Sequence, residues 1–374
     1  MSQGDPGRSN LGPNRPADPQ APLNRRQRVG TPWLLFTVTG LVLIAVFAAG
    51  VWLALTTPAA DQSAASREPE RATTAKSDTG IKQALQYRQP GQDVSLIPAP
   101  VEAVTDRTPI GPMPRIADDG RSPAQIYARP FNHKDPRPRV ALLLTDLGLD
   151  AAATRQAIED LPDEVSLAFV AFADGLQTWI DRARADGHEA LLAVPMEPKN
   201  FPQNDPGPNA LLSNEPRPKN LVALRLSLVE ATGYTGLAPF MGAAFMADGD
   251  KLRPVFDEIA ERGLVFADTS PGLISEAEEV AAATQASLVT SAIRLDAEPN
   301  AEAIDTALKR LEKLARERGA ALGVFNPFPV SYQRVAAWSR SLNNKGLVLA
   351  PVSALTGYTN PDAAPPGAAE KAGP

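Results

Sequence analysis

The sequence predicts an α/β fold, a (β/α) barrel of seven or eight units, preceded by one transmembrane helix and a Pro-rich linker. Three observations predict it. From Arg139 to about Gly357, short apolar runs alternate with amphipathic stretches that end at glycines. Ahead of them, Trp33 to Leu55 runs without one charged residue. Between the two, residues 56–138 hold twelve of the 37 prolines and few apolar clusters. A doubly wound open sheet is the alternative arrangement of the same strand–helix alternation.

In chain order, residues 1–32 are polar, have no apolar period, and read as a disordered cytoplasmic tail. Residues 33–55 span about 34 Å as a helix, enough for the hydrocarbon core, with Trp33 and Trp52 near its ends. A cleavable signal peptide is the rival, but its apolar region is usually only about 7–15 residues. Arg25, Arg26 and Arg28 precede the span, and TTPAADQSAA after it carries only Asp61. The amino terminus is therefore expected in the cytoplasm and the main domain outside, in the periplasm if the source is bacterial. Residues 56–138 read as a semi-extended spacer in which short apolar pieces such as Val94–Ile97 could dock on the domain, and His133 as a solvated residue within it.

The domain is expected over residues 139–357. Strands are predicted at Val140–Leu144, Val165–Val170, Ala190–Val194, Gly236–Pro239, Leu264–Asp268, Ser287–Ile293, Ala320–Phe325 and Leu347–Pro351. Helices are predicted between them: Ala151–Glu159, Leu176–Ala185, Leu221–Ala231, Lys251–Arg262, Ser275–Thr284, Ala301–Arg318 and Ser331–Leu342. Asp250 and Ser331 are placed as helix caps, and Gly187, Gly263, Gly319 and Gly346 as stops. Residues 358–374 read as a disordered tail.

Composition excludes several functions. A net charge of −6 argues against a nucleic-acid partner, which wants a basic face. With no cysteine there is no disulfide, thiolate nucleophile or Cys-based zinc site. Only two histidines exist, His133 and His188, so a metal centre built on imidazoles is out of reach.

In such folds chemistry gathers at the carboxyl ends of the strands. ALLLTDLG puts Asp146 at the end of the first strand, where an active-site carboxylate would stand, with Gly148 for the turn. Either Asp146 or Asp150 could instead cap the next helix. Thr145 stands beside Asp146 at the same strand end, and the remaining strand ends contribute Phe172 and Asp174, then Pro195, Met196 and Glu197, then Phe240 and Met241. Asp268, Arg294, Asp296 and Asn326 complete them. Asp146, Glu197 and Asp268 are the candidate catalytic carboxylates. Thr145, Met196, Phe240, Arg294, Asp296 and Asn326 are the candidate substrate contacts. Met196 and Phe325 could equally be core, Arg294 and Asp296 a structural ion pair, and Asp268 a helix cap.

The succession LLLTDLG, GHEALLAVPMEP, GYTGLAPFMGAAFMADGDKL, VFADTS, RLD, GVFNPFPVS and LVLAPVSAL resembles the divergent polysaccharide deacetylase family, from about Arg139 to Leu355. The family is a branch of the metal-dependent carbohydrate esterases. The resemblance implies a distorted (β/α) barrel, an exported location, and an ancestral removal of acetyl groups from glycans. There a divalent metal polarises the acetyl carbonyl and activates water, and a carboxylate takes the proton.

The departures are as informative as the match. Where the family has two adjacent aspartates, base then metal ligand, this chain has Thr145 and Asp146. Ala193 precedes VPMEP where a histidine is frequent, Pro239 and Phe240 end the fourth strand, and Asn326 replaces the histidine after the seventh. His188 falls ahead of the third strand, at the opposite end of the barrel. No cofactor is expected. Oxygens of Asp146, Glu197 and Asp268 are what remains to hold a hard divalent cation, with Asp146 its one family-matched ligand. Pro195, Met196, Phe240, Phe245, Phe325 and Phe328 are expected to wall a groove for sugar rings.

The reading is a membrane-anchored envelope protein with a pseudoenzyme cleft that recognises a glycan. A working deacetylase with a degenerate metal site, and a scaffold that binds a protein partner, are the alternatives.

Overall fold

The computed structural model describes residues 95–357. The tail of residues 1–32, the expected membrane span of residues 33–55, the first part of the linker and the tail of residues 358–374 lie outside them. Among the described residues no helix is long and apolar enough to cross a membrane.

The strands are parallel and buried, which is why they read as unbroken apolar runs. They are β3 (Arg139–Leu147), β4 (Ser166–Val170), β5 (Ala190–Met196), β6 (Gly236–Met241), β7 (Val265–Asp268), β8 (Ser287–Arg294) and β9 (Ala320–Phe325). β9 pairs back onto β3 from Arg139↔Ala320 to Leu144↔Phe325, closing a seven-stranded barrel. β10 (Val348–Ala350) lies along Arg139–Ala141, the part of β3 below the point where β4 starts pairing at Leu143. The barrel is distorted at β6–β7, which is held by only two pairs, Gly236↔Val265 and Leu237↔Phe266.

Period-two alternation sorts each strand between two cores. Ala141, Ala168, Ala193, Ala238 and Ala267 fill the interior with Leu143, Val170, Leu191, Val289 and Val324. Seven strands enclose less space than eight, and alanines suit that bore. The alternate positions, such as Leu142, Leu192, Met196 and Phe266, pack against the helices. These are α2 (Ala151–Asp160), α3 (Leu176–Ala185), α4 (Arg217–Leu228), α5 (Gly249–Arg262), α6 (Ala277–Thr284), α7 (Ala301–Arg318) and α8 (Pro329–Ser339).

Two of the expected caps are corrected. Asp248, not Asp250, caps α5 through Lys251 N–H. Ser331 lies inside α8, where its hydroxyl donates to Asp296 rather than capping. Gly263 and Gly319 do end their helices in the left-handed conformation, whereas α8 stops at Ser339 and Gly346 ends a separate turn, Asn343–Lys345.

The larger correction concerns the linker. Residues 95–138 are not a free spacer. They form the hairpin of β1 (Thr105–Thr108) and β2 (Gly111–Pro114) and the short helix α1 (Pro123–Tyr127), capped by Ser122 and Gln125 in a reciprocal capping box. Val101, Val104, Ile126 and Tyr127 make a small core of their own. The segment is held by Arg184, a buried guanidinium that donates to the carbonyls of Ile97, Tyr127 and Gly233 and lies over the Tyr127 ring. No local periodicity encodes such a dock.

The lower end of the barrel is closed by the turn of Val352–Leu355. Val352 enters the interior core, its N–H donating to Ser166 Oγ, and Glu189 accepts from Ser353 N–H. His188 is buried at this end, its ring nitrogens against the carbonyls of Val165 and Ile158, a structural role. His133 is exposed.

A titration is built into the same end. Burial, with the neighbouring Asp163 charge second, pushes the Glu164 carboxyl up to about 7. A raised carboxyl binds its proton more tightly folded than unfolded. Its contribution is therefore full below the ordinary carboxylate range and is lost as pH rises through about 7. Stability in urea is expected to fall as pH rises from 5 to 8. Glu164→Gln should flatten that slope, and an unchanged slope would clear Glu164 of responsibility.

Candidate functional site

The mouth at the upper end is built from the ends of β3, β8 and β9. Thr145 follows Leu143 into the interior and is buried, its hydroxyl donating to Phe325 O at 3.3 Å. Simple alternation would turn Asp146 outward. A register shift between Leu144 and Leu147 intervenes, and Asp146 takes a left-handed conformation with φ 63°. Few non-glycine residues adopt that conformation, and bulges at strand ends re-aim side chains. Gly148 at φ 93° follows, and a Cβ there would come within 2.4 Å of Ala173 Cβ, so the β3 and β4 loops touch at this point.

Asn326 is the hub. Its amide nitrogen donates to Asp146 Oδ2 at 2.5 Å, its amide oxygen accepts from Arg294 Nη1 at 2.6 Å, and its backbone N–H donates to Asp296 Oδ2 at 2.7 Å. The two side-chain partners fix the amide's orientation, because a flip would set oxygen against carboxylate and NH2 against guanidinium. Arg294 also donates to Thr269 O, tying the β7 loop to the cluster. A second register shift, between Ser291 and Ile293, is what turns Arg294 to the mouth.

Asp296 is buried and also accepts from Ser331 Oγ, while its Oδ1 has no hydrogen-bond partner among the described residues. Burial raises the Asp146 carboxyl above its ordinary range, opposed by the Arg294 charge and the Asn326 amide, with Asp296 adding to the rise. Burial likewise raises Asp296, against the hydrogen bonds from Asn326 and Ser331.

Other expected site residues are elsewhere. Asp268 lies on the helix side of β7, since Val265 and Ala267 face the interior, and it accepts from Ser270 N–H and Ser275 Oγ. It braces the β7–α6 loop. Glu197 accepts from Ser213 N–H, and its backbone bonds Leu211, Ala244 and Phe245, a knot between two loops. Among the described residues no three carboxylates or imidazoles stand together as a metal site. The donor set at the mouth does not fit a divalent cation: Asp146 is flanked by an amide and a fixed guanidinium, and Glu197 and Asp268 are engaged apart from it.

The expected aromatic groove is corrected as well. Met196, Phe245 and Phe325 are fully buried in the outer core. Counting alternation from Ala193 would have turned Met196 outward. Phe240 is inside the mouth, edge-to-face with Phe172 at 5.9 Å, and only Phe328 is exposed. What sequence reasoning missed is the rim: Leu149, Leu273, Ile274 and Phe328 in loops, and Met241 at the end of β6, are exposed at this one end. Met241, like Asp146, is left-handed at a strand end, with φ 62°.

The divergent polysaccharide deacetylase profile matches residues 142–356. The crystal structure of an uncharacterised protein from Agrobacterium tumefaciens C58 is 37% identical, covering 66% of this chain and 99% of its own, with a TM-score of 0.64. More distant is a putative cellobiose-phosphate cleavage protein from Enterococcus faecalis V583, 11% identical, with a TM-score of 0.43 over 59% of this chain and 99% of its own. A mutant peptidoglycan deacetylase from Bacillus subtilis is 12% identical, with a TM-score of 0.33 over 60% of this chain and 91% of its own. No curated protein matches the chain.

Proposed function

The chain belongs to the divergent polysaccharide deacetylase family, and from that premise we propose that it binds a cell-envelope glycan at its barrel mouth with deacetylase catalysis impaired or lost. The observation that carries this reading is the company of Asp146. Its partners are Asn326 and, through it, Arg294, groups that bind and orient oxygen-rich ligands. A base adjacent to Asp146 would have to come from Thr145, whose hydroxyl is buried and bonded to a carbonyl. The protein is anchored in the inner membrane by residues 33–55, its amino terminus cytoplasmic and its barrel periplasmic; the uncharged run and the preceding arginines support this.

The test is elemental analysis and turnover of the full chain in detergent after exposure to zinc, manganese and magnesium. Bound metal is expected far below one equivalent, with no acetate released from acetylated glycans. Stoichiometric metal lost in Asp146→Ala, together with acetate release, would establish a working deacetylase instead.

A protein partner on the same face is the second reading, favoured by the exposed aliphatic rim of Leu149, Leu273 and Ile274. Capture of one defined envelope protein, abolished by Ile274→Ser, with no glycan affinity, would put it first.

A further inference from the structure

Among the described residues eight large hydrophobic side chains are exposed, and five of them stand at the mouth. They follow the strands in order around one arc of the barrel. Met241 ends β6, Leu273 and Ile274 lie in the loop after β7, Phe328 in the loop after β9, and Leu149 in the loop after β3. β8, between β7 and β9, contributes Arg294 instead. The apolar arc therefore carries the cluster of Asp146, Asn326 and Arg294 in its middle. Phe328 N–H donates to Asn326 O, and Leu149 follows Asp146 in the same loop. Arg294 donates to Thr269 O at the head of the loop that bears Leu273 and Ile274.

The composition of the arc chooses its occupant. Sugar rings stack on aromatic faces, and Phe328 is the one aromatic side chain among these five. Protein interfaces are anchored by Trp, Tyr and Arg, with Leu under-represented, and the five include neither Trp nor Tyr. Leu, Ile and the pliable thioether of Met are what an alkyl chain packs against. A ligand that satisfies centre and arc together has an oxygen-rich head and an alkyl chain. Asp146 and Met241 are both left-handed at strand ends, and backbone of that kind gathers at ligand sites. Here it sets one polar and one apolar group at the same mouth. A lipid in the bilayer is within range. Leu96 N–H donates to Arg184 O at the lower end of the barrel, and residues 56–94, between the expected span and this point, reach at most about 130 Å. The nine residues of β3 rise about 30 Å, so the tether leaves the mouth free to turn to the membrane surface.

Resting on the glycan reading and the membrane anchor proposed with it, we propose that the mouth takes a glycolipid, with the sugar on the Asp146, Asn326 and Arg294 cluster and the alkyl chain along Met241, Leu273 and Ile274. The protein then handles a lipid-linked sugar of the envelope at the bilayer surface rather than a bare polymer.

Methyl, butyl, hexyl and octyl β-glycosides of N-acetylglucosamine test this, titrated calorimetrically below their micelle-forming concentrations. The full chain is held in phosphatidylcholine nanodiscs, and heats from empty nanodiscs are subtracted. Affinity is expected to rise about two- to fourfold per added methylene. Leu273→Ser/Ile274→Ser should flatten the series while retaining the wild-type urea midpoint, because both side chains are exposed. Asn326→Leu should weaken every member alike. Equal affinity from methyl to octyl, or a rise that survives the double variant, overturns the glycolipid and leaves the glycan reading standing. Octanol that binds as tightly as the octyl glycoside also overturns it, because the arc would then need no sugar. A flat series with capture of one defined envelope protein, abolished by the double variant, gives the arc to a protein partner instead. No affinity for any member removes the glycan reading along with the glycolipid.

Discussion

Gly236→Ala is expected to destabilise the barrel by about 4 kcal/mol, the upper end of what a single methyl does. Gly236 opens β6, and a Cβ there would stand 2.2 Å from the Val265 carbonyl oxygen and 2.9 Å from its carbon. Neither atom can swing aside as a side chain would, so β6 and β7 must part. This is the seam with only two residue pairs, one of which is Gly236↔Val265 itself. Splitting it opens a close-packed interior in which small residues such as Ala238 and Ala267 line the β6 and β7 side of the gap. Gly249→Ala is the matched control. Its Cβ would meet Glu276 and Val280 at an ordinary 3.5 Å, and a stability change within about 0.5 kcal/mol is expected there. Urea midpoints of the two variants against the parent decide the matter. If Gly236→Ala were as mild as Gly249→Ala, the seam would be far more compliant than its backbone spacing implies.

Such positions show where sequence reading succeeds and where it stops. Ala320–Phe325, Leu176–Ala185 and Ala301–Arg318 were legible to the residue, because apolar runs and amphipathic periods end there at glycines or polar turns. Helix α4 begins four residues before the expected Leu221, because Pro216 and Pro218 look like loop. A proline in the first turn lacks only an N–H that would have been unpaired anyway. Residues 95–138 were misread for a different reason. Their order comes from contacts distant in sequence, above all Arg184 with Ile97 and Tyr127. At the mouth, four of the residues read from the strand ends, Asp146, Arg294, Asp296 and Asn326, do converge. Their facing was hidden by two register shifts, at Leu144/Leu147 and Ser291/Ile293, each of which alters the two-residue alternation. Where no shift intervenes, as at Met196 and Asp268, alternation alone already directs the side chain away from the mouth.

Asn326→Leu tests whether the mouth is a single polar network, and it should cost about 2–4 kcal/mol despite the similar size of the two side chains. The backbone N–H to Asp296 survives the change. The amide that joins Asp146 to Arg294 does not. Asp146 would lose its one side-chain hydrogen-bond donor while still partly buried, which pushes its carboxyl further above the ordinary range, in the direction burial already drives it. Among the described residues Arg294 would keep only Thr269 O. The effects belong to charges left without partners, so they should not add. In Asp146→Ala/Asn326→Leu the carboxylate is gone, and about 1–2 kcal/mol of the summed cost should be recovered. A double-mutant cycle on urea midpoints measures that coupling, and glycan titration on the same variants asks whether affinity falls at least tenfold when the hub is cut. Coupling with lost affinity makes the cluster the binding centre of the mouth. Coupling with full affinity would make it a brace for the β3 and β9 loops, and would move the glycan outward onto the rim.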